Sequence, residues 1–426
     1  MVTRQGWRLA FCGALVACNV SEASKATPVH LDAGGGDDGG VALAVDGGMG
    51  DGGGVARTCP SALVVASSDY KSTNISVLSA VSGGLLSESI ISSGSAVPGL
   101  SAALSGDVIL PLATTQGAVV LVDQTNAVLT WVDPSTASAV NQLNVGTGFS
   151  SNPHDYLELS ATKAYVTRYE SNMSAGKQPN DGGGDLLIVN PDAATITGRV
   201  PFASDGAFLP RPDRMMRVGS DVWVLLDRFD VSGYMTAGDA RIVGVSTIDD
   251  TIAWTLDLPG VANCTSVAIA PSGQAVALSC TGVLSDADPK LRSAIVLLDA
   301  TMRPPVEIKR FAAATQLGAP LGFTLAYASE TLLVGVALGD TMAGRNDVAY
   351  TLDLTAGTVQ PLADAGAAFV FGDVRCAPGC TDLCFLADAN TNMLRVWKAN
   401  GSSLDAQSSV PVDPTIGLPP RSLGTF

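Results

Sequence analysis

The segment from Pro153 to Phe202 reads as one four-stranded antiparallel sheet, and degraded copies of its pattern recur to the C-terminus. Tyr156-Leu157-Glu158-Leu159 alternates, Ala164-Tyr165-Val166-Thr167 is β-rich, Leu186-Leu187-Ile188-Val189 is a buried-strand run, and Thr195 to Phe202 alternates again. Turn residues separate the runs, notably Ser160 to Lys163 and Asn190-Pro191-Asp192. One such sheet cannot bury both of its faces, so the copies must stack on each other.

The residue that closes each third strand counts the copies. Ser79, Asp133, Asn190, Asp249, Asp299, Asp353 and Ala399 each follow an apolar run, at spacings of 46 to 59 residues. Four-stranded units of about this length are propeller blades. Seven marks therefore predict an all-β, seven-bladed β-propeller. The first copy has no innermost strand of its own, whereas Ile416 to Leu423 resembles the opening of another copy, Phe208 to Met215. This C-terminal stretch is expected to complete the N-terminal blade, closing the ring and removing its open edges.

Composition agrees with a β-rich ring: 46 Gly, 23 Pro and only 15% charged residues in 426, with no convincing amphipathic helix after the N-terminus. The formal net charge of −16 repels phosphate backbones and argues against nucleic acid as a partner. Nothing in the composition calls for a cofactor, and a monomer is expected.

Met1 to Ala17 places Arg4 and Arg8 before an apolar run that is too short to span a bilayer, the pattern of a secretory signal. The run ends Leu15-Val16-Ala17-Cys18, which resembles the bacterial lipobox. That resemblance implies cleavage before Cys18, lipidation of Cys18 and anchoring in a membrane, with Asn19 favouring the outer one. Residues 18–58, rich in Gly and Asp, read as a flexible tether, and 59–426 as the propeller. Two formal Gly-x-Gly-x-x-Gly matches, at Gly34 and Gly48, lack a preceding strand and a following helix and are read as accidents of composition.

Pro153-His154-Asp155 followed by Ser160 to Arg168 is similar to the YVTN-type propeller repeat, with Arg168 in place of its Asn. Ala268 to Ser279 resembles the same repeat through its Pro271-Ser272-Gly273 turn. The likeness is good in these two copies, the third and fifth of the seven, and weak in the other five. It implies a bacterial surface or periplasmic propeller, similar in fold to the propeller lactonases.

Six cysteines remain after Cys12 and Cys18, an even number that suggests disulfides in an exported chain. Cys264 and Cys280 flank one hairpin and are expected to pair. Cys59, Cys376, Cys380 and Cys384 allow three connectivities; a hairpin that sets Cys376 opposite Cys384 leaves Cys380 to reach Cys59. A metal site on the three clustered cysteines is the competing reading, disfavoured by the oxidising compartment and by the lack of a nearby histidine.

With two histidines in the chain, His30 and His154, zinc sites built on several histidines are excluded, and no Gly-x-Ser-x-Gly, HExxH or P-loop is present. The starts of the inner strands carry His154, Asp155, Arg211, Asp213, Arg214 and Arg421, which are expected to converge at one mouth of the channel. The bland alternative is a polar funnel in which the two aspartates pair with the arginines. Asn180 to Asp185 is a candidate calcium loop, read more simply as an insertion between strands. A binding or scaffold module and a lactonase-like hydrolase both fit this inventory.

Overall fold

The computed structural model describes residues 59–115 and 117–426. The signal-like segment, Cys18 and the Gly/Asp-rich stretch lie outside the described residues.

Seven antiparallel sheets follow one another around a ring, each numbered here as a blade. Blade 3 has the strands Pro153–Ser160, Lys163–Ser171, Gly183–Asn190 and Thr195–Pro201 from the axis outward. Five other blades repeat this order, with innermost strands at Val108–Ile109, Pro212–Val218, Cys264–Ile269, Leu321–Tyr327 and Phe371–Cys376 for blades 2, 4, 5, 6 and 7. Blade 1 differs as expected: its innermost strand is the last of the chain, Pro420–Thr425, paired antiparallel with Ala62–Ser68. The strand starts a few residues later than the sequence reading placed it, because Asp413 accepts the N–H groups of Ile416 and Leu418 and holds that stretch as a turn.

The middle strands explain the closure. Ala62–Ser68 is buried along its whole length because its alternate side chains face two different neighbours. Val64 and Ala66 pack toward blade 2, whereas Leu63 and Val65 pack toward blade 7. The same division runs round the molecule, giving one apolar layer between each pair of adjacent blades. Seven sheets in an open row would have six such layers; seven layers require a closed ring.

The closing residues of the third strands are Ser79, Asp133, Asn190, Asp299 and Asp353 as anticipated. In blade 4 the strand ends at Ser246, where the turn begins, so Asp249 lies beyond it. In blade 7 it runs to Asn400, one residue past Ala399.

Three disulfides are formed: Cys264–Cys280 across the first hairpin of blade 5, Cys376–Cys384 across that of blade 7, and Cys59–Cys380. The last spans a sequence separation of 321 and fixes the first described residue to blade 7.

Candidate functional site

Each innermost strand begins at the same end of the channel, so its first side chains meet those of its neighbours. Much of what they do is hold the ring together. Leu110 N–H donates to Ser422 Oγ (3.0 Å), Leu112 and Met215 N–H donate to the Asp155 carboxylate (3.1 and 3.0 Å), Val374 N–H donates to Thr324 Oγ1 (2.7 Å), and Leu423 N–H donates to Asp373 (3.0 Å). Each bond crosses from one blade to the next. Asp155 therefore links blades 2, 3 and 4. Its burial holds its carboxyl above the usual carboxylate range, although Arg214 and three backbone N–H groups favour the ionised form.

Inside this ring of bonds lies a cleft of about 220 Å³, lined by Ser68, Tyr70, Asp107, Gln124, Arg214, Asp373, Arg421 and Ser422 among others. Inner-strand starts of blades 1, 2, 4 and 7 thus share one small space. Arg421 donates through Nε to Ser68 O (3.4 Å), and its guanidinium lies 5.0 Å from the centre of the Tyr70 ring. Tyr70 is 67% exposed and holds a left-handed backbone (φ 65°), a conformation that a bulky side chain adopts only under constraint. Gly106 makes room for this turn: a Cβ there would sit 2.3 Å from the Tyr70 carbonyl carbon, so only glycine admits the approach. Asp107 also faces the cleft, and its carboxyl is pushed up, first by burial and secondarily by Asp123, against the favourable field of His154.

Beside the cleft, His154 Nδ1 lies 2.7 Å from Asp213 Oδ1, and its ring stacks on Tyr169 at 4.1 Å. Its Nε2 has no protein partner among the described residues. Tyr169 donates to Asp227 (3.1 Å), whose other oxygen is buried without a partner. Burial, with repulsion from Asp213, holds the Asp227 carboxyl well above its usual range. Arg211 packs against the Tyr169 and Tyr234 rings, 5.2 and 4.5 Å from their centres, and donates to Glu170 (2.6 Å). Burial alone would lower its pKa, but Glu170 and the tyrosines more than offset this.

The structure therefore brings His154, Asp155, Asp213, Arg214 and Arg421 to one mouth, and joins Arg214 to His154 through a bond to its carbonyl (3.1 Å). Arg211 turns away toward the loop that carries Tyr234. The pairing of aspartates with arginines holds weakly for Asp155 and Arg214, at 3.9 Å. It does not hold for Asp213, which takes the imidazole, because Arg211 is engaged by Glu170. Sequence reasoning missed Tyr70, Asp107, Tyr169, Asp227 and Asp373. Asp107 and Asp373 were findable, since each stands at the start of an inner strand as His154 and Asp213 do. Tyr70 and Asp227 lie in loops that carry no repeat signal.

Asn180 to Asp185 is not free to hold calcium. Asp181 accepts the N–H groups of Gly176, Lys177 and Gln178, and Asp185 is paired with the fully buried Arg168 and with Arg199. Arg168 thus anchors this loop through Asp185 and Asn180 O. Among the described residues no group of three or more His, Cys, Asp or Glu side chains is placed to hold a metal ion.

No known protein family matches this sequence, and no curated protein matches it. Solved structures do resemble it. A Lactobacillus plantarum protein aligns with a TM-score of 0.56 at 12% identity, covering 86% of this chain and 99% of the other. A Bacteroides fragilis protein named as a 6-phosphogluconolactonase gives 0.56 at 12% identity, covering 86% and 97%. Hydrazine synthase of Kuenenia stuttgartiensis gives 0.52 at 11% identity, covering 83% and 99%. At such identities the likeness establishes the fold, a seven-bladed β-propeller, and nothing narrower.

Proposed function

We propose that this protein is an exported, lipid-anchored binding module of the cell envelope, whose channel mouth takes a small polar ligand. The observation that carries the reading is the cleft itself, where an exposed tyrosine held in a left-handed backbone meets two arginines that arrive from different blades. Ring closure does not need the tyrosine, and Arg421 spends only its Nε on the closing strand pair, at Ser68 O. The lipobox-like Cys18 and the YVTN-type likeness of blades 3 and 5 support the envelope address and a bacterial lipoprotein, with the outer membrane as its destination. The test is a thermal-shift screen of a broad small-molecule panel on the full chain and on Tyr70→Ala. Ligands that raise the melting temperature of the wild type and not of the variant support the mouth as the site; a panel whose hits ignore Tyr70→Ala contradicts it. Metabolic labelling with a lipid precursor tests the anchor, since an unlabelled wild type removes it.

A second reading, a propeller hydrolase, is favoured by the His154–Asp213 contact. A carboxylate on Nδ1 orients the imidazole and leaves Nε2 to take a proton from an attacking water. A lactone and ester panel checks it: turnover that falls by about 10²- to 10⁴-fold in His154→Gln makes the protein an enzyme. Absence of turnover in the wild type leaves the binding module.

A further inference from the structure

We infer that the ligand of this mouth is a small carboxylate- or phosphate-bearing molecule that also carries a hydroxyl or amine, its anionic group held by Arg421 and Arg214 and its donor group by Asp107. The inference rests on the mouth being the ligand site.

The positive charge there is unusual for this chain. Of the fourteen described arginines, twelve have a carboxylate within 4.0 Å. The two without one are Arg217, which is exposed, and Arg421, which is half-buried in the cleft. In a protein of net charge −16, acids are plentiful enough to have supplied a partner. Arg214 makes no close ion pair: the nearest carboxylate oxygen is 3.9 Å away and belongs to Asp155, which already accepts three backbone N–H groups, and Asp213 and Asp373 act on it from farther off. Behind them Arg375 is buried with its Nε unpartnered among the described residues; burial works against its charge and Asp373 faces it at 3.5 Å.

Two guanidiniums with N–H donors to spare, on one cleft, match the planar pair of oxygens of a carboxylate or the oxygens of a phosphate. The distributed negative charge of the domain repels anions at long range, so these close contacts and not steering must do the binding. Asp107 sets the other end. Among the described residues no cation lies within ion-pair distance of it, and a hydrogen bond from Thr125 takes only part of its acceptor capacity, so it offers an acceptor to a hydroxyl or ammonium of the ligand. The volume of about 220 Å³ suits a compact ligand.

The test is calorimetric titration of the full chain with matched probes: glycerate and serine for the carboxylate, glycerol 3-phosphate for the phosphate, and glycerol as the neutral control. Anionic probes are expected to bind at least about tenfold more tightly than glycerol, to lose about tenfold or more in Arg421→Gln, and to recover in part in Arg421→Lys. Whether glycerate or glycerol 3-phosphate binds tighter identifies the anionic group. Glycerol binding as well as the anions, anion binding that ignores Arg421→Gln, or no heat from any probe overturns the inference. A neutral compound from the broad panel that loses its effect in Tyr70→Ala would keep the mouth as the site while removing its anion preference.

Discussion

The carboxylate of Asp373 accepts the backbone N–H of Leu423 at 3.0 Å, tying the innermost strand of blade 7 to the final strand of the chain. That strand also pairs with Ala62–Ser68, and Phe426 O accepts the N–H groups of Ser61 and Ala62. The first and last described strands therefore hold each other. Deleting Pro420 to Phe426 should leave Ala62–Ser68 as an open apolar edge and abolish cooperative unfolding. Leu423→Ala, at a fully buried site, should cost about 2–5 kcal/mol in urea titrations. A melting temperature unchanged by the deletion would contradict the closure.

Asp155 serves as a joint between three blades. In Asp155→Ala the N–H groups of Leu112, Tyr156 and Met215 lose their acceptor, at about 1–3 kcal/mol for each one left buried and unpaired. Asp155→Asn keeps one acceptor oxygen and should be milder. Equal unfolding midpoints for the two variants would show that the carboxylate does not bridge the blades.

Asp227 should make stability depend on pH. Its folded pKa is raised above the unfolded value by burial, so the folded state binds the extra proton. The associated stability is present below the unfolded pKa, near 4, and is lost as pH rises through the raised folded value. Asp227→Asn cannot ionise, so relative to it the wild type should weaken progressively above about pH 4. Parallel melting curves for the two proteins from pH 4 to 8 would contradict the assignment.

The disulfides should differ in weight. In the chain-entropy picture a loop of 321 residues stabilises by on the order of 5 kcal/mol, against about 3 for the 16-residue loop of Cys264–Cys280. The Cys59→Ala/Cys380→Ala pair should therefore unfold at lower denaturant than the Cys264→Ala/Cys280→Ala pair. The unfolded wild-type domain should show no free thiol.

How far the sequence speaks follows from what each feature depends on. The blades are legible because two-sided burial forces apolar runs such as Val119-Val120-Leu121-Val122, and because the turns after them return at a near-constant interval. The ring is legible because blade 1 lacks a strand that the C-terminus can supply. Cys376 and Cys384 could be matched because a hairpin dictates its own register. The mouth was half legible: inner-strand starts give His154, Asp213, Arg214 and Arg421, but not which carboxylates they meet. Asp213 and Asp227 are both buried near one imidazole, and only the three-dimensional path of the loop after Leu226 brings Asp227 beneath Tyr169. Tyr70 is beyond sequence reading for a similar reason, since its place depends on Gly106 in another blade.

Native mass spectrometry of the full chain, isolated from its native source without ligand-removing steps, tests the central claim most directly. The account predicts that the wild type carries a small acidic molecule and that Arg421→Gln carries at least about tenfold less of it. Bare protein in both samples, or the same bound mass in both, would contradict it.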